Sequence, residues 1–393
     1  MAKFDFNSSR YARFFGDASN NRFLQTFISA DGVLVSNYKW YITQGRKAAF
    51  PTPTDSSGNA TFTIKSRSIK AAPLMDLRAP LGESNQTDAE GLRFYSASIP
   101  DFSSTNSYRE TAMERETRAK QFEIFGNDKD IVEAWVGKVQ ELVDSVDTTL
   151  NFMTAQLMST GIIDYSKIGR GIRIPLHKAD IADENKATAG AKVWTDPDCR
   201  ILDQMKAIEE KYRTEWGYTG GMVWQLPKKM FYDVVLQNAQ VKELVASYKS
   251  NPLAWQATTT GQSITEAAFK LAISDFDGIS PIEIVEEKSR NITHNTDTFI
   301  HGWKENIAVL RPAGYAVEFE YKQILDEMLF KKHGNESVKK TWAQTNNGLG
   351  LLVNTTRGNG DYKEWHTDIL LASTPALINF PHHVIVDTTA ADE

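Results

Sequence analysis

Between residues 130 and 160, apolar side chains recur at spacings of three and four: Ile131, Val132, Trp135, Val139, Leu142, Val143, Val146, Leu150, Met153 and Leu157. At 3.6 residues per turn these fall on one face, so the spacing predicts a long amphipathic helix. Gly126-Asn127-Asp128 breaks the chain before it and Gly161 follows it. Thirty-odd residues at ~1.5 Å each make a rod about 45 Å long. The opposite face carries Asp130, Glu133, Glu141, Asp144 and Asp147 against Lys138, a pattern that ordinarily means solvation.

Upstream, residues 1–45 mix aromatics (Phe14, Phe15, Phe23, Phe27, Tyr38, Trp40, Tyr41) with polar residues and keep no period. An arm that buries its aromatics against something else is expected. Pro51-Thr52-Pro53-Thr54-Asp55-Ser56-Ser57-Gly58-Asn59 is rich in turn formers, and Thr61-Phe62-Thr63-Ile64-Lys65 then alternates like a strand, so an extended hairpin is predicted. Its basic residues, Arg46, Lys47, Lys65, Arg67 and Lys70 against Asp55, suit an acidic surface on a neighbour.

Downstream, Ile172-Arg173-Ile174-Pro175-Leu176 reads as a short strand, and 180–190 is polar without a period. Ile201, Leu202, Met205, Ile208 and Tyr212 predict a second helix, with Asp198 or Cys199 near its start and the glycines from Gly217 to Gly221 ending it. Met222-Val223-Trp224-Gln225-Leu226 is a candidate strand. Pro227 opens a predicted third helix carrying Met230, Phe231, Val234, Val235, Val241 and Leu244. Further strands are expected at 282–285, 307–311, 316–321, 350–356 and 384–387, which makes the last third mostly sheet and the class α+β. No internal repeat or low-complexity tract is present.

Length changes the picture first: 393 residues suit one large irregular domain or two lobes. Hydrophobic residues at 41% and charged residues at 24% are globular proportions. A net charge of -6 argues against a DNA-coating protein, which needs concentrated Lys and Arg. One cysteine, Cys199, makes no intrachain disulfide and no cysteine-only zinc site, and fits a reducing cytoplasm. No window approaches the ~18 apolar residues of a membrane span, and the first residues lack the apolar core of a signal peptide, so a soluble protein without a membrane partner is expected. The Asn-x-Ser/Thr triplets at Asn59, Asn85, Asn291, Asn335 and Asn354 are then loop chemistry rather than glycan acceptors.

Candidate chemistry is sparse. The Walker-type phosphate loop, the Gly-x-Ser-x-Gly elbow, His-Glu-x-x-His and the dinucleotide glycine fingerprint are all absent. Asp275-Phe276-Asp277-Gly278 lacks the later oxygen ligands of a calcium loop and reads as a turn. His366 with Asp368, His382 and His383 is the one grouping that suggests metal ligands or an acid and base. The two adjacent histidines, in an apparent strand from Phe380 to Val386, point to opposite faces and do not converge on one ion. Glu209-Glu210 and Glu286-Glu287 are neighbours in sequence, poor geometry for shared acid and base work, and are expected to be solvated. Cys199, beside Asp198 and Pro197 near a helix start, invites a lowered pKa, but with no histidine nearby in sequence a structural thiol is the better reading. Catalytic, cofactor and metal residues are therefore all assigned as none, and no enzyme is expected.

Several short strings, in order, resemble the major capsid proteins of tailed bacteriophages, above all the lambda-type branch of the fold named after phage Hong Kong 97. They are Ala155-Gln156-Leu157-Met158-Ser159-Thr160-Gly161 at the end of the long helix, Trp194-Thr195-Asp196-Pro197 before Ile201-Leu202-Asp203-Gln204-Met205, and Gln237-Asn238-Ala239-Gln240-Val241-Lys242. Ile307-Ala308-Val309-Leu310-Arg311-Pro312 and Leu371-Ala372-Ser373-Thr374-Pro375-Ala376-Leu377 before Phe380-Pro381 complete the set. Each is short and none carries chemistry, but the likeness covers most of the chain from about residue 20. The segments 85–120 and 331–340 depart from the family pattern.

The resemblance implies an N-terminal arm at 1–45, an extended loop (E-loop) at 46–110, and a peripheral domain at 111–193 with a spine helix at 130–160. An axial domain at 194–312 and a C-terminal sheet of the peripheral domain at 313–393 follow. It implies a structural subunit that self-assembles into the hexamers and pentamers of an icosahedral or prolate head, located in the virion capsid and assembled in the host cytoplasm. Implied partners are copies of itself, scaffolding and portal proteins and a decoration protein, with DNA enclosed but not read by sequence. In some relatives a lysine and an asparagine of different subunits are cross-linked, a role for which Lys47 or Lys65 qualifies only by location. The chain begins at Met1, and removal of an N-terminal assembly domain is not expected. An inward-facing acidic helix face (Glu133, Glu141, Asp144) would let packaged DNA slide. An encapsulin-like shell is the alternative within the fold. A soluble α/β enzyme built on His366, Asp368 and His382, and a carbohydrate- or host-binding protein suggested by the tryptophans, are the alternatives outside it.

Overall fold

The structure is a computed structural model that describes residues 42–47, 61–67, 92–100, 102–103, 108–126, 128–168, 175–249, 264–274, 278–287, 289–293, 296–321, 338–344, 350–357 and 364–392. The first strands are β1 (Ile42–Lys47), β2 (Thr61–Arg67), β3 (Leu92–Ser98), β4 (Phe102–Ser103) and β5 (Tyr108–Thr111). Helices α1 (Ala112–Phe125) and α2 (Asp128–Thr160) come next, followed by β6 (Ile162–Ile163), β7 (His177–Lys178) and β8 (Lys186–Thr188). The middle of the chain holds α3 (Ile201–Trp216), β9 (Met222–Pro227), α4 (Ala239–Lys249) and α5 (Glu266–Ser274). The rest is strand: β10 (Ile282–Val285), β11 (Ser289–Thr293), β12 (Thr296–Ile300), β13 (Ile307–Pro312), β14 (Val317–Tyr321), β15 (Val338–Gln344), β16 (Gly350–Arg357), β17 (Glu364–Leu371), β18 (Ser373–Leu377) and β19 (Val384–Asp387).

The predicted long helix is α2, 33 residues and thus about 50 Å long. Leu142, Val146, Leu150, Met153 and Leu157 are all buried, and from Phe152 to Ser159 the helix is buried on every side. Gly161 ends it at φ 71°, where a Cβ would lie 2.8 Å from Ile181 Cδ1, so the stop requires glycine. Of its acidic residues, Glu141 and Asp144 are exposed, but Asp147 is buried, contrary to the expected solvated face.

A five-stranded sheet, in the order β10-β9-β13-β19-β8, divides the molecule into two cores. Successive strand residues point to opposite faces, and β13 shows it: Ile307 and Val309 enter one core, Ala308 and Leu310 the other. Strand β19 does the same with Ile385 on one side and Val384 and Val386 on the other. The first core gathers α2, β2, β3, β14 and β18; the second gathers α3, α4, α5 and β9. With neighbours on both edges and Met222, Trp224 and Leu226 in the second core, β9 is buried at all six positions.

The predicted strand at 61–65 is β2, with Phe62 and Ile64 buried and Thr63 and Lys65 exposed. It pairs antiparallel with β3, and Tyr95 and Ala97 of β3 share the inward face. Strand β1 pairs parallel with β14, setting Arg46 opposite Glu320 and Lys47 opposite Tyr321. The expected boundary at residue 45 falls within β1, so Arg46 and Lys47 are strand residues. Residues 1–41 lie outside the described residues.

Other expectations are corrected. The third helix is not continuous: Lys228–Met230 runs into a π-helical turn, Phe231–Val235, and α4 begins at Ala239. The break has a cause. Asn238 Nδ2 donates to the Cys199 carbonyl (2.7 Å), Asn238 Oδ1 accepts from Gln240 N (3.0 Å), and Gln240 Oε1 accepts from Leu202 N (3.0 Å). Gln240 thus caps the start of α3 from a distance, while Asn238 caps α4 and ties it to the chain before α3, and neither Asp198 nor Cys199 caps α3. Gly217 closes α3 at φ 58° as expected. Pro175 and Leu176 lie outside any strand, residues 172–174 and 275–277 lie outside the described residues, and the polar stretch at 180–190 holds β8. Phe380–His382 is a turn of 3-10 helix, with the strand starting at Val384. Asn291 and Asn354 lie in β11 and β16, not in loops; Asn59, Asn85 and Asn335 are outside the described residues.

Candidate functional site

The histidine grouping comes apart. His366 and Asp368 lie in β17, in register with Thr356 and Asn354 of β16, and their side chains are outside the described residues. His382 is buried edge-on to Trp216, ring centroids 4.9 Å apart, and near Tyr218 at 6.0 Å. His383 turns the other way and its Nε2 donates to the Met158 carbonyl of α2 (2.7 Å). Burial lowers its pKa to about 4, outweighing the carbonyl that favours the charged ring, and Arg311 lowers it further. A ring held neutral in this way serves α2, not an ion. Among the described residues, no group of three or more His, Cys, Asp or Glu side chains is placed to hold a metal.

Cys199 is buried, with Sγ 3.3 Å from Gln204 Oε1. Burial and then the nearby Asp196 raise its pKa, against a smaller opposing effect of Lys192. The thiol is held protonated, the reverse of what a nucleophile needs. Asp198 N instead donates to Asp196 Oδ1 (2.8 Å), so the Asp-Pro turn is closed by its own aspartate.

The carboxylate pairs are where the sequence reading fails. Glu209 is buried and accepts four hydrogen bonds: Arg213 Nε (2.8 Å) and Ser280 Oγ (2.5 Å) at Oε1, Trp224 Nε1 (3.2 Å) and Ser280 N (2.9 Å) at Oε2. It forms the back of a cleft of about 720 Å³ lined also by Lys206, Glu210, Thr214 and Pro281. With all lone pairs engaged, Glu209 has none left to accept a substrate proton; it ties α3 to β9 and to the loop before β10. A signal was available: Leu202, Met205, Glu209 and Tyr212 are spaced three and four apart, which puts Glu209 on the apolar stripe of its helix.

Glu287 is buried too. Its Oε2 accepts from Gly302 N (2.7 Å), its Oε1 from the Ser289 hydroxyl, and its carbonyl from His301 Nδ1 (2.8 Å). The segment it fixes rests on α2, where Lys304 N donates to Ser159 Oγ (3.2 Å) and a Cβ on Gly302 would meet the Phe152 carbonyl oxygen at 2.3 Å. Glu286 stays exposed, paired with Lys228 (2.7 Å) on the rim of a second cleft of about 360 Å³. Lys229 and Glu305 pair across that cleft as well (2.9 Å). In these clefts Glu209, Arg213, Glu286, Lys228, Lys229 and Glu305 are engaged in bonds to other protein groups.

Comparison with protein-family models gives no match, and neither does comparison with curated proteins. Among solved structures, the chain is similar to a phage-related protein of Bordetella bronchiseptica RB50, at 13% identity and a TM-score of 0.43, over 94% of this chain and 96% of that one. It is similar to the mature capsid of bacteriophage PhiM1, at 10% identity and a TM-score of 0.43, over 90% of this chain and 88% of that one. It is also similar to the capsid of cyanophage A-1(L), at 10% identity and a TM-score of 0.45, over 87% and 91%.

Proposed function

We propose that this chain is the major capsid protein of a tailed bacteriophage, a shell subunit of the Hong Kong 97 type that assembles with copies of itself around double-stranded DNA. The order of parts along the chain supports the reading: a two-stranded ribbon (β2 and β3), a 33-residue helix beneath it, a separate helical core across the central sheet, then strands returning to the first core. That is the order the short strings resemble, and one of them has a physical role, since Asn238 and Gln240 tie the start of α4 to the start of α3. In this reading 1–45 is the arm and 46–110 the E-loop. Residues 111–193 and 313–393 form the peripheral domain, and 194–312 the axial domain. Hexamers and pentamers form the head, assembled in the host cytoplasm, with scaffolding, portal and decoration proteins as further partners.

Electron microscopy and sedimentation of the purified chain, expressed with and without neighbouring virion genes, test the proposal. Closed shells or tubes are expected. A compact monomer under every assembly condition overturns it, and shells that enclose an enzyme in place of DNA make it an encapsulin-like compartment.

A further inference from the structure

His177 sits where the ribbon meets the body of the molecule, and its surroundings are odd for a titratable group. The ring lies between two side chains of the ribbon's inward face, Phe62 of β2 (centroids 5.8 Å, edge-on) and Tyr95 of β3 (5.6 Å). On the body side, Nδ1 is 3.4 Å from Thr374 Oγ1 of β18, which in turn bonds the Tyr165 hydroxyl (2.9 Å). Nε2 is buried without a hydrogen-bond partner among the described residues. An apolar ring of the same shape would fill the space without that unpaired nitrogen.

Among the described residues, none of the charged groups near His177 compensates a proton on it. From β3 the facing titratable group is Tyr95, and from the turn after α2 it is Tyr165; burial pushes both phenols far above their ordinary range, so both stay neutral. Lys65 of β2 and Lys178 beside His177 are exposed. Arg93 of β3 is paired with Asp180 (3.1 Å) at the surface. Glu318 and Glu320 of β14 act on Tyr95. Strand β18 offers Ser373, Thr374 and Pro375, none of which titrates. Burial alone lowers the pKa of His177 to about 3.

We propose that His177 is an acid-sensitive latch: its neutral imidazole seats the root of the β2–β3 ribbon on the α2 core, and uptake of a proton releases that root. The protonated ring carries two N–H donors and a charge, and the described residues of the closed joint provide one hydroxyl and no counterion. Opening to water restores the ordinary basicity near 6.5. Each opening event then takes up one proton, so below about pH 6.5 the open fraction rises about tenfold per pH unit until the closed joint itself protonates near 3. The device does not depend on the shell reading, because it acts within one chain.

Hydrogen exchange of the full chain, corrected for the intrinsic pH dependence of exchange, tests it. Protection of the β2–β3 amides is expected to fall about tenfold per pH unit from 6.5 to 5, with β9–β13 amides unchanged, and His177→Phe is expected to abolish the fall. Ribbon protection that stays flat in the wild type, or falls equally in His177→Phe, overturns the proposal. If His177→Phe does not fold, NMR of ¹³C-labelled histidine in the wild type decides: a ring that protonates near pH 6.5 while the ribbon stays protected also overturns it.

Discussion

The buried indole of Trp224 donates from Nε1 to Oε2 of Glu209 across 3.2 Å, joining the central strand β9 to helix α3. Removing the carboxylate strands the indole N–H, the Ser280 N–H and hydroxyl, and part of Arg213, which keeps a bond to Gly220 O (2.7 Å). Leaving buried donors unpaired costs more than the net worth of the bonds. Glu209→Ala is expected to lower unfolding free energy by about 3 kcal/mol, and Glu209→Gln by less, because the amide oxygen still accepts. Urea denaturation of the purified chain measures both. Equal, small losses would mean that the network contributes little.

Gly302 and Gly314 make a matched pair. At Gly302 a Cβ would sit 2.3 Å from the Phe152 carbonyl oxygen and 3.0 Å from Ala155 Cβ, so alanine must push a buried helix away. At Gly314, φ is +93° but nothing lies within 4 Å, so alanine meets only backbone strain. The expected cost is at least ~2 kcal/mol at Gly302 and about 1 kcal/mol at Gly314. Melting temperatures of the two variants rank them, and the reverse order would contradict the packing of 301–306 on α2.

Acid is expected to destabilise the fold through its buried histidines. His383 is neutral in the native state, with a pKa of about 4, and returns to near 6.5 when unfolded. The unfolded chain therefore binds more protons at any pH between these values, and stability falls as pH drops through that window. Its contribution is fully present above pH 6.5 and declines by up to ~1.4 kcal/mol per pH unit below it. Urea midpoints at pH 7, 6 and 5 give the slope, which His383→Gln is expected to reduce by one proton's worth.

The single thiol reports on the second core. Cys199 is buried and its pKa is raised, so the native protein is expected to react with a disulfide reagent at least ~100-fold more slowly than the unfolded chain. Labelling rates in rising urea follow the opening of α3. Fast labelling of the native state would contradict the burial.

Legibility followed the kind of pattern each element needed. Helix α2 was readable because Leu142, Val146, Leu150, Met153 and Leu157 keep one phase, and β2 because Phe62 and Ile64 alternate with Thr63 and Lys65. Strands β11 and β12, Ser289–Thr293 against Thr296–Ile300, carry polar residues at most positions and are defined by their mutual ladder, which no local period reveals. The third helix was overextended because its apolar phase runs on past Asn238, whose amide is committed to the Cys199 carbonyl, 39 residues away in sequence. Glu209 and Glu287 were misjudged because their neighbours Glu210 and Glu286 were weighed with them. A helix or strand sends adjacent residues in different directions, so one member of each pair is buried and the other exposed.

The outward face of the ribbon gives the sharpest test of assembly. Tyr95 and Ala97 of β3 point inward, whereas Leu92 is 67% exposed and Phe94 is 65% exposed, two large apolar side chains on a strand that the single chain leaves uncovered. Under the proposed shell reading such a face is covered by a neighbouring copy, and burying both residues there contributes about 1.5–3 kcal/mol each per contact. Under that reading the contact recurs at every copy, so small losses multiply. The double substitution Leu92→Ser and Phe94→Ser is expected to leave the melting temperature of the free subunit nearly unchanged, because neither residue packs in the chain's own core, while shells disappear from sedimentation profiles. Shells forming at an unchanged threshold concentration would remove this face from the subunit contacts. A lowered melting temperature would instead mean that Leu92 and Phe94 already pack within one chain.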